Sequence, residues 1–377
     1  MEKRRGKLTE KGYKGFRLLI GGVDDPALFG SASSGSGFVG GVGYVNGTNR
    51  DSFKFTLDAR YSTRTYENIL ANLEFPNRSA GKPVHAFIQA GYRDYKAVNF
   101  FGLGGSTSTD GESTFRLEDR RLTAGVSMLP HKTTVVRAGI GLLNTHILSG
   151  DDDPSVEAAF GPDQLPGAAD SPEYVTYFGQ LGFNFFDEGF PPAGFSLNFE
   201  VARYDDRDEG FFNFTKLTAD FITEVPLGYR NRRLAFRFRT SHAMADAGQE
   251  VPFYLMETLG GGTSLRGFDN YRFRDRRNLL MNLEYRWEVW TFADFALFAD
   301  AGKVFDRAGD FDFSDLEAGY GFGLIIRSPI GGGTFRIDIS NSHEGFKIFF
   351  GSGPFIDKSA LGPPPQNFML GKPLRQR

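Results

Sequence analysis

The chain has 377 residues and no cysteine, with 43 basic and 46 acidic side chains giving a formal net charge of −3. The lack of cysteine excludes disulfides, thiolate metal sites and cysteine nucleophiles, and the balanced charge gives no indication of a nucleic-acid partner. Its 48 glycines and 40 phenylalanines favour strands and turns, and no run of about 18 apolar residues is available for a transmembrane helix.

The first element in chain order is a basic N-terminal segment, residues 1–14, which lacks the apolar core of a signal peptide. From residue 15 onward hydrophobicity alternates with a period of two, the pattern of a β-strand with one apolar and one polar face. Between residues 52 and 61, for example, apolar side chains such as Leu57 alternate with polar ones such as Asp58. The pattern recurs along most of the chain and predicts a β protein.

The alternation predicts sixteen strands whose connections are short and long in turn. The short connections are mostly rich in Pro, Gly or Asn, whereas residues 99–113, 148–171 and 247–277 form long ones. Tight turns on one rim and long loops on the other are typical of an outer-membrane-type barrel. The predicted strands span residues 15–23, 36–46, 51–62, 65–76, 83–97, 114–129, 133–148, 173–187, 195–206, 211–226, 233–246, 278–290, 292–305, 315–328, 333–343 and 346–355.

We therefore predict an all-β fold, a sixteen-stranded antiparallel transmembrane β-barrel over residues 15–355 with one long loop folded inward, followed by a Pro-rich C-terminal tail over residues 356–377. A soluble sandwich is the alternative, because its strands alternate in the same way. Paired charges of both signs on the polar face, such as Glu284 and Arg286, suit a water-filled interior better. The Phe-rich face is then expected to contact outer-membrane lipids.

The residue patterns predict neither a metal nor a cofactor. The five histidines form no metal-binding motif, and the acidic run 151–153 lacks the glycine and the final glutamate of a calcium loop. The glycines at 35, 37 and 40 match G-x-G-x-x-G, but a period-two segment follows them where a nucleotide site needs a helix. We expect that the chain is not an enzyme.

The segment 247–277 contains a candidate site around Arg266. Three consecutive glycines precede this arginine and allow the backbone to turn tightly. Glu284 and Asp300 fall on the polar faces of the next two predicted strands. If the segment folds into the barrel, Arg266 can donate bidentate hydrogen bonds to one or both carboxylates. Without such partners a buried arginine is costly. We therefore predict that Glu284 and Asp300 are the acidic partners of Arg266.

Two motifs in this region resemble those of a known family. The first is an aliphatic-Arg-Gly-aromatic motif in the lumen loop, formed by Leu265, Arg266, Gly267 and Phe268. The second is F-x-D-x-G on the partner strand, formed by Phe298, Asp300 and Gly302. With the acidic residue at 284, these motifs are similar to those of the bacterial surface antigen superfamily of outer-membrane assembly and translocation barrels (BamA/TamA-like). The resemblance covers about residues 15–355 and implies a sixteen-stranded barrel in the cell outer membrane.

The end of the last predicted strand contains a candidate signal for barrel insertion. The pattern polar-x-Gly-x-x-hydrophobic-x-hydrophobic is matched by His343, Gly345, Ile348 and Phe350. Members of the family tend to end on an aromatic residue, and Phe355 is the nearest equivalent, although the Pro-rich tail follows it.

The resemblance implies protein assembly or translocation through a seam between the first and last strands, with client proteins and periplasmic or lipoprotein partners. An unpaired strand edge offers N–H and C=O groups to an incoming strand. The alternative is a passive pore or structural barrel plugged by the LRGF loop, without client-assembly activity. The receptor (POTRA) domains usual in the family are not recognisable in these 377 residues, which favours that alternative. A third possibility is an enzyme whose catalytic domain lies upstream of Met1.

Overall fold

The computed structural model describes residues 15–21, 39–47, 53–77, 84–161, 165–187, 193–208, 210–228, 231–327, 334–352 and 355–356. The predicted N-terminal segment and the predicted tail beyond Ile356 lie outside these residues. The glycines at 35 and 37 are also outside them, and Gly40 lies within a strand.

The fold is built from antiparallel strands joined in chain order. Sixteen strands form one sheet, in the order β1 to β11 followed by β14 to β18, while β12 and β13 pair separately. The only described α-helix, α1 (Val156–Phe160), is short, and within the described ranges no helix is long and apolar enough to cross a membrane. The strands are β1 Gly15–Gly21, β2 Val39–Asn46, β3 Lys54–Ser62, β4 Glu67–Asn77, β5 Val84–Phe100, β6 Ser113–His131, β7 Thr134–Ser149, β8 Glu173–Asn184, β9 Gly194–Asp206, β10 Phe214–Pro226, β11 Arg232–Ala245, β12 Glu257–Leu259, β13 Phe273–Asp275, β14 Arg277–Trp290, β15 Ala293–Phe305, β16 Glu317–Arg327, β17 Thr334–Ser342 and β18 Gly345–Ser352.

The predicted all-β, antiparallel architecture is confirmed, and most strand ends lie within three residues of the prediction. Two differences matter for the site. The last strand ends at Ser352, so the prediction that it continues to Phe355 is wrong. The pair β12 and β13 was not predicted, because three residues are too few to show alternation.

The two faces of the sheet differ as the alternation predicts. On β3, Leu57 is 38% exposed and its neighbour Asp58 only 6%. The outward face includes large apolar side chains such as Leu18, Phe322 and Phe350, all of them exposed. An apolar outer band with a polar inner face is the arrangement of a barrel that contacts lipid.

The interior of the sheet, which we call the lumen, is packed with side chains. Inward charged residues such as Asp119, Arg137 and Arg286 are each no more than 2% exposed. The prediction that such residues line a watery interior is therefore wrong for them. The reason is that the connection between β11 and β14 occupies this space, so that ion pairs replace water around many of the charges.

The two ends of the sheet are its least connected part. Every consecutive pair in the sheet order is antiparallel, and the register shifts at one point in each of the pairs β5–β6, β6–β7 and β14–β15. The end strands β1 and β18 approach each other, but in the part of the chain that the structure describes no hydrogen-bonded register joins them. β1 and β18 are therefore the two edge strands of the described sheet.

Candidate functional site

The lumen loop, residues 246–276 between β11 and β14, brings the first predicted motif into the lumen. Gly260 and Gly267 have φ angles of +119° and +104°, which other residues rarely adopt. The side chains of Leu265 and Phe268 are fully buried, in an apolar cluster that also includes Leu280 of β14. These contacts fix the loop against the wall of the sheet.

Arg266 makes the predicted bidentate contact with Asp300 of β15. Its Nε lies 2.7 Å from Asp300 Oδ2 and its Nη2 lies 2.8 Å from Oδ1. The backbone N–H of Arg266 also donates to Oδ2 at 3.2 Å. Asn282 of β14 donates both to Asp300 Oδ1 and to the backbone oxygen of Ser264. One carboxylate therefore orients both the side chain and the backbone of the loop.

Two further carboxylates lie near the Nη1 atom of Arg266. Glu284 Oε2 is at 3.9 Å, a charge contact without a hydrogen bond, and Asp338 Oδ2 of β17 is at 3.5 Å. Glu284 also forms an ion pair at 3.2 Å with Arg286, and Asp338 one at 2.8 Å with Arg336. We call Arg266, Glu284, Asp300 and Asp338, with Arg286 and Arg336, the lumen cluster.

Two aromatic rings enclose the Arg266 guanidinium. Its carbon lies 3.5 Å from the ring centroid of Phe298 and 3.7 Å from that of Phe355. A cation between two rings in a desolvated site is stabilised by about 2 kcal/mol or more. Phe298 is part of the predicted F-x-D-x-G motif, so the motif supplies a ring as well as a carboxylate.

The chain after β18 therefore turns into the lumen. Next to Phe355, Ile356 is fully buried and packs with Ile222 of β10 and Ala235 of β11. The Nη2 atom of Arg286 donates to the backbone oxygen of Ile356 at 2.9 Å. The C-terminal segment thus connects the last strand with the lumen cluster.

The electrostatics favour a permanently charged Arg266. Burial by itself lowers the pKa of this guanidinium, but Asp300, with smaller contributions from Glu284 and Asp338, more than offsets burial and raises the pKa above its usual value. Removing Arg266 or Asp300 would leave an uncompensated charge in a site from which water is excluded.

Two glycines allow the loop to approach the wall closely. A Cβ on Gly302 would lie 2.7 Å from the backbone oxygen of Leu279 on the neighbouring strand β14 and 3.1 Å from Cδ1 of Leu259 in the loop, which explains the glycine of the predicted partner-strand motif. A Cβ on Gly319 of β16 would lie 1.8 Å from the backbone oxygen of Arg266. Gly319 was not predicted, although its alternation with Tyr320 and Phe322 on a predicted strand placed it on the inner face.

We predict that Gly319→Ala destabilises the protein by about 2–3 kcal/mol, because the added methyl group displaces the loop backbone. The measurement is the free energy of unfolding by urea in detergent micelles. Gly40→Ala is the matched control, since a Cβ on that strand glycine has no atom within 4 Å. Equal stability of the two variants would contradict the close approach.

The predicted insertion-signal residues divide into three groups. Ile348 and Phe350 point outward and are 50% and 69% exposed, and Phe355 lies in the lumen. The tight β17–β18 turn contains His343 and, at its end, Gly345 with a φ of +100°. His343 lies 3.2 Å from Glu317 and packs edge-on against Phe268 of the loop. Their role in insertion stays a prediction.

The last hairpin also binds the lumen loop through charges. Arg272 Nε donates to Glu344 at 2.6 Å, and Lys347 Nζ donates to both carboxylate oxygens of Asp269 at 2.7 Å. The loop therefore touches β18, one of the two edge strands of the sheet, as well as β14 and β15.

Comparisons with known proteins agree with this fold. A family model described as the Omp85 superfamily domain matches residues 45–347. The chain is similar to the crystal structure of BamA from Haemophilus ducreyi lacking POTRA domains 1–3, with a TM-score of 0.65 and 15% identity over 90% of this chain and 69% of that one. It is also similar to CdiB from Escherichia coli, with a TM-score of 0.56 and 12% identity over 91% and 68% of the two chains. A search among curated proteins gave no match.

Proposed function

Because the chain belongs to the Omp85 superfamily, we propose that it assembles or translocates proteins through the seam between its first and last strands. The resemblance to surface antigen barrels and the location in the outer membrane are confirmed. We further propose that the sheet closes as a sixteen-stranded barrel, that it is not an enzyme, and that client proteins and periplasmic or lipoprotein partners act with it.

The observation that carries this proposal is the lack of a described register between β1 and β18. The edge of a sheet can pair with an incoming strand, as in β-augmentation, and β1 and β18 are the edge strands of this one. The ion pair between Lys347 of β18 and Asp269 connects this edge to the lumen loop. A movement of the lumen loop can therefore shift β18, the strand on one side of the seam.

The test is to lock the seam. The chain has no cysteine, so that a pair can be introduced cleanly, with Phe16→Cys or Leu18→Cys on β1 and Ile348→Cys on β18. All three positions face outward. In proteoliposomes we expect the oxidised pair to stop the folding of an added client barrel, measured by its heat-modifiable mobility on gels. Reductant should restore the folding.

The matched control is Ile339→Cys with Ile348→Cys, because these residues lie opposite each other within the β17–β18 hairpin. Its disulfide leaves the seam free, so client folding should continue at the rate of the reduced protein. Full activity of a seam-locked barrel would contradict the proposal.

The second candidate is a plugged, passive barrel, and the packed lumen supports it. Arg266 and Ile356 are fully buried where an open pore would expose them. This candidate predicts no client folding by the unlocked protein. It also predicts that removing the lumen loop produces stepwise conductance in a planar bilayer.

A further inference from the structure

A small cavity lies in the lumen, apart from the lumen cluster. Its walls are the inner faces of β5, β6, β7, β9 and β10, and the lumen loop covers it. Its volume is about 50 Å³. Because one water needs roughly 10–15 Å³ of such space, the cavity has room for about three or four waters or one small oxyanion.

The charges around this cavity are of one sign. Its lining includes Arg93, Arg121, Lys216 and Arg274 but no carboxylate. On the same inward face of β6 as Leu117 and Arg121, Asp119 forms ion pairs with both Arg93 and Arg121. Lys216 pairs with Glu257 of the loop. Three of the four cations thus share two carboxylates.

Arg274 of β13 differs from the other three. It is 2% exposed and forms no ion pair with any carboxylate in the ranges that the structure describes. Its Nη1 donates to the backbone oxygen of Phe253 at 3.0 Å, while its Nε is buried without a hydrogen bond. Burial lowers its pKa to about 10, so it stays charged at neutral pH.

Aromatic rings surround the same guanidinium. Phe115 and Phe100 lie 5.5 and 5.8 Å from its carbon, and Phe253 and Tyr271 each lie 5.9 Å away. Rings at this distance stabilise a cation only weakly, and they cannot accept the in-plane hydrogen bonds of a guanidinium. Arg274 lines the cavity as a cation with no carboxylate partner and an unsatisfied Nε–H, and it therefore matches an acceptor with several oxygens.

We propose that this cavity binds a small oxyanion of the phosphate or sulfate class, with Arg274 as its main ligand and Arg93, Arg121 and Lys216 as further cations. The anion would be held between the lumen loop and the wall, and it would thereby fasten β13 to β5 and β6. The proposal does not depend on how the seam works.

The test uses the full chain in a non-ionic detergent, with inorganic phosphate titrated at constant ionic strength against chloride. We expect saturable binding in a calorimetric titration and a rise in the unfolding midpoint. Arg274→Gln should weaken the binding by at least about tenfold, because it removes a charge-assisted hydrogen bond. Arg93→Gln should weaken binding in the same direction, and it serves as a second variant if Arg274→Gln does not fold.

The matched control is Arg116→Gln. Arg116 of β6 makes a bidentate contact with Asp94 of β5, with both distances at 2.8 Å, but it does not line the cavity. Phosphate binding by this variant should therefore be unchanged. No saturable binding by the unmodified protein means that water alone fills the cavity and overturns the proposal. Undiminished binding by both Arg274→Gln and Arg93→Gln places the anion elsewhere and overturns it equally.

Discussion

Replacing Arg266 with alanine is expected to destabilise the lumen loop by about 3–5 kcal/mol while leaving the sheet assembled. The substitution leaves Asp300, Glu284 and Asp338 facing one another in a site from which water is excluded; all three are at most 2% exposed. It also removes the cation between two aromatic rings. The sheet should persist, because its backbone ladders do not depend on this side chain. Client folding in proteoliposomes should fall sharply.

The measurement combines urea unfolding, limited proteolysis of the loop and the client-folding assay. Arg203→Ala is the matched control, because Arg203 makes the same bidentate contact, with both distances to Asp246 at 2.7 Å. The side chains of Arg203 and Asp246 are 31% and 42% exposed. Loss of this pair should therefore cost only about 0.2–1 kcal/mol of stability. If both variants lose equally little stability and activity, Arg266 is an ordinary surface cation and the proposed role of the lumen cluster is wrong.

The sequence contained enough information to predict one half of the lumen cluster. Alternation assigns each strand residue to a face, and the inward positions of Glu284 and Asp300 on consecutive strands made them neighbours. In the structure Arg266 Nε lies 2.7 Å from Asp300, and Glu284 lies at the limit of an ion pair, 3.9 Å from Arg266 Nη1. Local periodicity was sufficient because β14 and β15 are adjacent in both sequence and space.

The other half depended on distances across the lumen, which periodicity does not determine. Asp338 lies on a predicted strand, but its approach to Arg266 depends on how the sheet curves. Phe355 was predicted to end the last strand, and nothing local indicates that the chain turns inward after Ser352. Gly319 also lies on a predicted strand, but its close contact with the loop depends on where the backbone of Arg266 lies, which local periodicity does not determine.

The double variant Phe355→Ala/Ile356→Ala is expected to lower the free energy of unfolding by about 3–5 kcal/mol and to increase ion conductance. The first change removes one of the two rings on Arg266, and the second empties a fully buried site between β10 and β11. Because Arg286 donates to the backbone oxygen of Ile356, releasing this segment also leaves Arg286 without that acceptor. Water can then enter the lumen next to the cluster.

The comparison with Phe350→Ala separates two roles for the aromatic residues near the C-terminus. Phe350 is outward and 69% exposed, so its loss should leave conductance unchanged and, if it belongs to an insertion signal, reduce the fraction of chains that insert into membranes. Single-channel recordings and a membrane-flotation assay measure the two effects. Phe355→Ala should instead increase conductance and leave the inserted fraction unchanged, because the ring of Phe355 contacts an arginine and not lipid. Reduced insertion of Phe355→Ala with unchanged conductance would mean that the inward turn contributes nothing to closing the lumen.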